Sequence, residues 1–265
     1  MRILIGRHAP SMGQKDSLNY SKFSDARVPI DPDYAHLTLL CGQFMREAFE
    51  HFDIQTPPLF WSSQFLRAQQ SYSGIAEGIG DYFGEDLSWK TKRWHIDTLL
   101  NEQSFGFLPY IDTIKNPIKR GLAQIFSEFS KRLYDGDAFT SRTMLGDAPR
   151  DVVRDVRLFM STTLQNDVNE GEDTHVIIAH GAVMKALVMH WFHLYDLDSW
   201  KQINTPGNLD FYMIEGEKKE WTLSHIYDGM NAQSLLDNPP DPIAHIKRPN
   251  QMPLPPWLSD PSDPR

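Results

Sequence analysis

Two short apolar runs constrain this chain more than anything else in it. Ile3-Leu4-Ile5-Gly6 and Thr174-His175-Val176-Ile177-Ile178-Ala179 read as strands buried on both faces, the kind found in a parallel sheet covered by helices. Each ends in a histidine. The first run leads into Arg7-His8, and the second into His180-Gly181 ahead of an apolar helical stretch from Ala182 to Leu194. In an open α/β sheet the chemistry sits in the crevice above the carboxyl ends of the strands. The fold class read from this pattern is therefore α/β, with both histidines facing that crevice.

Leu59 to Ser63 reads as a third strand, followed by a helix in which Ser62 or Ser63 is expected to be the cap and Arg67 to point inward. Further on, Leu99-Leu100-Asn101-Glu102-Gln103-Ser104-Phe105-Gly106 places a carboxylate beside a glycine and an aromatic ring. A carboxylate kept dry holds its proton closer to neutral pH. Taken singly, an arginine at a helix start is more often a surface ion-pair partner, and a loop glutamate is usually solvated. Their order along the chain separates them from that background.

The order Arg7-His8, Ser63-x-x-x-Arg67-Ala68-x-Gln70, Glu102-x-x-x-Gly106 and His180-Gly181 resembles the histidine phosphatase superfamily, also called phosphoglycerate mutase-like. Its broad-specificity acid phosphatase branch is the nearest in pattern. The likeness extends to Leu37-Thr38 with Gly42, to Gly146-Asp147-Ala148-Pro149 and to Asn204-Thr205-Pro206-Gly207-Asn208, and so covers roughly residues 1 to 230. It implies a three-layer sandwich, with a mostly parallel central sheet flanked by helices and a helical lid insertion. It further implies a phosphomonoester hydrolase. His8 would be the nucleophile, because neutral imidazole attacks phosphorus well and a covalent phosphohistidine divides one hard transfer into two easier ones. Arg7, Arg67 and a protonated His180 would carry the charge on the moving phosphoryl group, and Glu102 would give and then take the proton. The implied substrate contacts are Arg7, Ser11, Gln14, Arg67, His180 and Gly181.

Three positions depart from the family pattern. Ala9 stands where glycine is usual and Pro10 where an acidic residue often follows, which removes a backbone N–H from the loop. Gln14 replaces a shorter amide. Two other readings compete: a phosphoglycerate mutase-type transfer, and a phospho-ligand-binding regulatory protein without turnover. The stretches Met12-Gly13-Gln14 and Gln103-Ser104-Phe105-Gly106 do not look like the Trp-Asn and His-Tyr-Gly of cofactor-dependent mutases.

Composition narrows the partners. A net charge of −9 over 265 residues argues against nucleic acid. No apolar run of about 18 residues is present, and the chain start enters a strand at once, so neither a membrane span nor a cleaved leader is expected and the expected location is cytoplasmic. Cys41 alone forms no internal disulfide. His190 and His193 share a helix without further ligands at suitable spacing, so neither a metal nor another cofactor is expected. The expected partner is a small phosphorylated substrate, with a phosphoprotein and self-association left open. Residues 1–236 read as the domain, with the lid at about 103–165, where helices at Pro117 to Leu133 and Pro149 to Leu164 are expected. Phe105, Phe107, Tyr110, Lys115, Lys119 and Arg120 are the expected walls of the leaving-group pocket. Residues 237–265 hold half of the 18 prolines, too many for regular helix or sheet, and are expected to form an extended tail carrying Trp257 and Leu258.

Overall fold

The computed structural model describes residues 1–84, 87, 91–106, 110–111, 114–137, 139–143, 145–194, 197–217 and 220–246. Among them, strands β1 (Arg2–Arg7), β2 (Leu59–Ser62), β3 (Trp94–Ile96), β4 (Thr174–Ala179), β5 (Phe211–Glu217), β6 (Glu220–Asp228) and β7 (Gln233–Ser234) form one sheet in the order β3-β2-β4-β1-β5-β6-β7. The core run β3-β2-β4-β1 is parallel, and β5, β6 and β7 add an antiparallel edge. The expected final strand after Asn208 is thus a hairpin with a short third strand. Helices α1 (Met12–Lys15), α2 (Leu18–Phe23), α3 (Ala35–His51), α4 (Leu66–Ile79), α5 (Pro117–Gly136), α6 (Pro149–Phe159), α7 (Gln165–Asn169), α8 (Gly181–Trp191) and α9 (Leu197–Gln202) complete the chain.

Alternate residues of the buried strands feed two cores, one on each side of the sheet. Ile3, Ile5 and Ile177 join α6 and α8 through Val152, Val156, Phe159, Val183 and Leu187. Leu4, Val176 and Ile178 join α3 and α4 through Phe44, Phe49, Tyr72 and Ile75. The result is the expected α/β three-layer sandwich. Helices α3 and α4 lie against each other with no room between them: a Cβ on Gly42 would fall 2.2 Å from the Ile75 carbonyl oxygen, and one on Gly78 equally close to that of Leu39.

Several boundaries differ from the sequence reading. Helix α3 takes in both Leu37-Thr38 and Gly42, because Leu37, Thr38 and Cys41 carry the buried stripe that Phe44, Met45 and Ala48 continue. Helix α4 starts at Leu66 with Phe65 before it and no side-chain cap, so neither Ser62 nor Ser63 caps it. The helix expected over 149–164 is α6, which passes through one π-helical turn at Met160–Leu164 into α7. Its apolar face is part of the core, so this end of the stretch 103–165 is a structural layer of the sandwich. Among the described helices, α5 exposes an apolar stripe, with Ile118 at 75% exposure and Leu122, Ile125, Phe126, Phe129 and Leu133 also exposed. Phe107, Trp257 and Leu258 lie outside the described residues. The start of the expected tail packs on the domain: Ile243 and Ile246 enter the core, and His225 N–H donates to the Pro240 carbonyl at 2.8 Å. No helix among the described residues is long and apolar enough to cross a membrane.

Candidate active site

Strand register brings the two histidines together. Arg7 on β1 lies opposite Ala179 on β4, so the next residues, His8 and His180, leave the sheet side by side with ring centroids 5.0 Å apart. Strand β2 flanks β4, and Ser63 just past its end bonds to Ile178 through its backbone N–H at 3.2 Å. Arg67 comes from the first turn of α4 and Glu102 from the loop after the 3₁₀ turn Thr98–Leu100. Five side chains singled out in the sequence, Arg7, His8, Arg67, Glu102 and His180, therefore meet above one end of the sheet.

Hydrogen bonds define the tautomer of each imidazole. His8 Nδ1 lies 2.6 Å from the Ala9 carbonyl oxygen, which can only accept, so the proton sits on Nδ1. Its Nε2 then accepts from Arg67 Nε at 3.2 Å and carries a lone pair. At the second histidine, Asn101 Oδ1 accepts from the Gln64 backbone N–H and the Ser63 hydroxyl. Ser63 Oγ is left to accept from the Phe65 N–H and from His180 Nε2, the latter at 2.8 Å. His180 Nδ1 is consequently the bare nitrogen, 4.0 Å from Glu102 Oε2 and with no hydrogen-bond partner among the described residues. Burial, reinforced by Arg67, holds the pKa of His8 well below the usual histidine range. Burial, then His8 and the two arginines, does the same for His180. Burial, His8 and the two guanidiniums thus act against the expected protonation of His180 while protein groups alone surround it.

Glu102 behaves in the opposite sense. Burial raises its pKa and is only partly offset by Arg67, by the Gln103 N–H donating to Oε1 at 3.0 Å, and by Arg7. The loop bearing it is clamped by the Gly146-Asp147 pair. Asp147 accepts from the Ser104 N–H on its carboxylate and donates its own N–H to the Ser104 carbonyl, and a Cβ on Gly146 would sit 2.5 Å from that carbonyl oxygen.

The arginines are held differently. Arg7 donates from Nη1 to the Pro206 carbonyl at 2.7 Å, while its buried Nε has no partner among the described residues. Gly181 lies beside it: a Cβ there would stand 3.6 Å from Arg7 Nε and 2.8 Å from the Thr205 methyl. Arg67 is 3% exposed and uses Nη1 to reach both the carbonyl and the carboxylate of Asp25, at 2.7 and 2.9 Å. Ser11 is buried, and its N–H donates to Gln14 Oε1 at 2.9 Å. Gln14 Nε2 in turn donates to Asn208 Oδ1, and Asn208 Nδ2 donates to the His8 carbonyl at 2.8 Å. Both residues thus belong to the loop around His8, with the Gln14 amide engaged by Asn208. Sequence reasoning missed Asp25 altogether and gave Ser63 the wrong task. A serine before a helix looks like a cap, and nothing local to Ser24-Asp25-Ala26 indicates a partner 42 residues away.

An α/β crevice holding two buried imidazoles of lowered pKa, two guanidiniums and a buried carboxylate of raised pKa has the chemistry to receive a tetrahedral anion. The sequence matches the histidine phosphatase superfamily (branch 1) over residues 36–229, and the chain belongs to that superfamily. The matched stretch begins after β1, so His8 joins the site through strand register. No curated protein matches the chain. Among solved structures it is similar to the α-ribazole phosphatase of Shigella flexneri (16% identity, 85% of this chain and 95% of that one, TM-score 0.59). A mycobacterial glucosyl-3-phosphoglycerate phosphatase solved with inorganic phosphate is comparable (17%, 84% and 94%, TM-score 0.58). So is YhfR of Bacillus stearothermophilus (16%, 84% and 95%, TM-score 0.55). These likenesses show the shared fold.

Proposed function

We propose that the protein is a metal-independent phosphomonoester hydrolase working through a phosphohistidine on His8. The observation that carries this reading is the pinning of His8 Nδ1–H on the Ala9 carbonyl, which leaves Nε2 as a lone pair beside Arg67. In the first step Nε2 bonds to phosphorus, the ester P–O bond breaks, and protonated Glu102 supplies the proton that leaves with the alcohol. In the second, ionised Glu102 takes a proton from water as the water oxygen attacks phosphorus and the P–N bond breaks, releasing phosphate. Arg7 and Arg67 hold the phosphoryl oxygens, and His180 Nδ1 accepts a proton brought by the phosphate group. Family membership and the phosphatases of the same fold support this chemistry, and small phosphorylated compounds are the substrate class. We assign the catalytic domain to residues 1–236 together with the segment up to Ile246, whose Ile243 and Ile246 enter its core.

Rapid quenching with a labelled phosphomonoester tests the mechanism. Wild type is expected to trap an acid-labile phosphoryl group, and His8→Ala to trap none and lose at least about 1000-fold in rate with or without chelator. Normal turnover in His8→Ala would overturn it. Release of phosphate together with isomerisation of 3-phosphoglycerate in the presence of its bisphosphate primer would favour the mutase reading instead.

A further inference from the structure

Asp25 is an acid set inside an anion site. It opens the 3₁₀ turn Asp25–Arg27, and Ser24 before it has φ 63° and ψ 151°, a left-handed φ that a serine adopts only when its surroundings impose it. From there both the carbonyl and the carboxylate of Asp25 take hydrogen bonds from Arg67 Nη1, while Arg67 Nε points at His8 Nε2. The guanidinium is thereby fixed at both ends, one on the nucleophile and one on Asp25. The carboxylate also cancels charge. Asp25 thereby offsets one of the two guanidinium charges, Arg7 and Arg67, that face the phosphoryl position, while Asp210 stands near Arg7.

We propose that Asp25 is a positioning residue that also sets the charge balance of the site, holding Arg67 against His8 and matching the pocket to the singly charged form of a phosphomonoester over the doubly charged one. This rests on the phosphatase reading above. A phosphomonoester loses its second proton near pH 6, so the preferred form prevails on the acidic side. Glu102 is tuned the same way. It is faced by Arg7 from β1, Arg67 from α4, His180 at the start of α8, Tyr20 from α2 and Asp25, and Asp25 adds to the burial that raises its pKa while the arginines lower it. A bare structural ion pair would hold Arg67 in place without regard to the charge of the ligand.

Asp25→Asn keeps an acceptor for Arg67 and removes the charge. Calorimetric binding of inorganic phosphate at pH 5 and pH 7.5, beside phosphate release by wild type, Asp25→Asn and His8→Ala, separates the readings. The expected result is about tenfold tighter binding of phosphate by Asp25→Asn at pH 7.5 with little change at pH 5, and an alkaline limb of kcat displaced to lower pH. Weaker or unchanged binding at both pH values would reduce Asp25 to an anchor and overturn the proposal. If wild type hydrolyses nothing, the phosphatase reading falls, and the comparison of phosphate binding still decides the charge balance in either direction.

Discussion

Replacing Ser63 with alanine tests whether the orientation of His180 depends on the hydroxyl at the end of β2. The side chain takes hydrogen bonds from His180 Nε2 and the Phe65 N–H and donates one to Asn101 Oδ1. At a net 0.5–1.5 kcal/mol each, the three are worth about 1.5–4.5 kcal/mol of folding stability. Only the bond to His180 bears on the reaction. Its loss leaves a buried N–H unpaired, at about 1–3 kcal/mol, and frees the imidazole to place its proton on the nitrogen that faces Glu102. Translated into rate, that is about 5-fold to 150-fold in kcat/KM. Steady-state hydrolysis of a phosphomonoester by wild type, Ser63→Ala and Ser63→Thr, with nitrogen chemical shifts reporting the His180 tautomer, provides the assay. Threonine, which keeps the hydroxyl, is expected to recover most of the loss. A kcat/KM within twofold of wild type in Ser63→Ala, with the His180 tautomer altered, would refute the link between tautomer and turnover.

Other outcomes follow from the packing and from the buried histidines. Gly42→Ala forces a methyl to within 2.2 Å of the Ile75 carbonyl oxygen and is expected to destabilise the fold by about 1–3 kcal/mol, read as a lowered denaturant midpoint at unchanged slope. Phe159 on α6 is fully buried and meets Trp61 edge-on at 5.5 Å, so Phe159→Ala is expected to cost about 3–5 kcal/mol, whereas Ile125→Ala on the exposed face of α5 stays within about 0.5 kcal/mol. Equal melting temperatures for these two variants would contradict a structural role for α6. Burial pushes His175 down to about 4, so the unfolded chain binds its proton first on acidification. The stability it contributes is complete above its ordinary value near 6.5 and is lost as pH falls through about 4, at most about 3 kcal/mol, so urea unfolding of His175→Gln is expected to vary less between pH 7 and pH 4.5.

The strands that build the site were legible because burial on both faces leaves them nothing but apolar residues, and a histidine at the end of such a run is conspicuous. Arg7, His8, Arg67, Glu102 and His180 stood out for that reason and for their order in the chain, and the fold brings them together. Ser63 was seen and misread, since a hydroxyl ahead of a helix serves a cap or a neighbouring imidazole equally well and only β2–β4 pairing decides. The helix over 149–164 was legible, yet its place between Glu102 and His180 suggested a lid, and only the packing puts Val152, Val153, Val156 and Phe159 in the core. The electrostatic setting of His180 was beyond reach of the sequence, being a product of burial, of His8 and of two arginines gathered from distant segments. Asp25 was invisible for the same reason, because its partner is brought near by tertiary folding alone.

The position of β1 in the sheet also sets the order in which the molecule can be built. It is made before the other six strands of the sheet, yet its partners on either side are Thr174–Ala179 and Phe211–Glu217. At 5–20 residues per second the segment bearing His8 waits roughly 10 to 30 s for its nearer neighbour. Until then Ile3, Leu4 and Ile5 form an apolar segment with two unpaired edges, the sort that invites wrong pairing. Closure of the loop between β1 and β4 is therefore expected to limit the rate of folding, and with it the appearance of any active molecule.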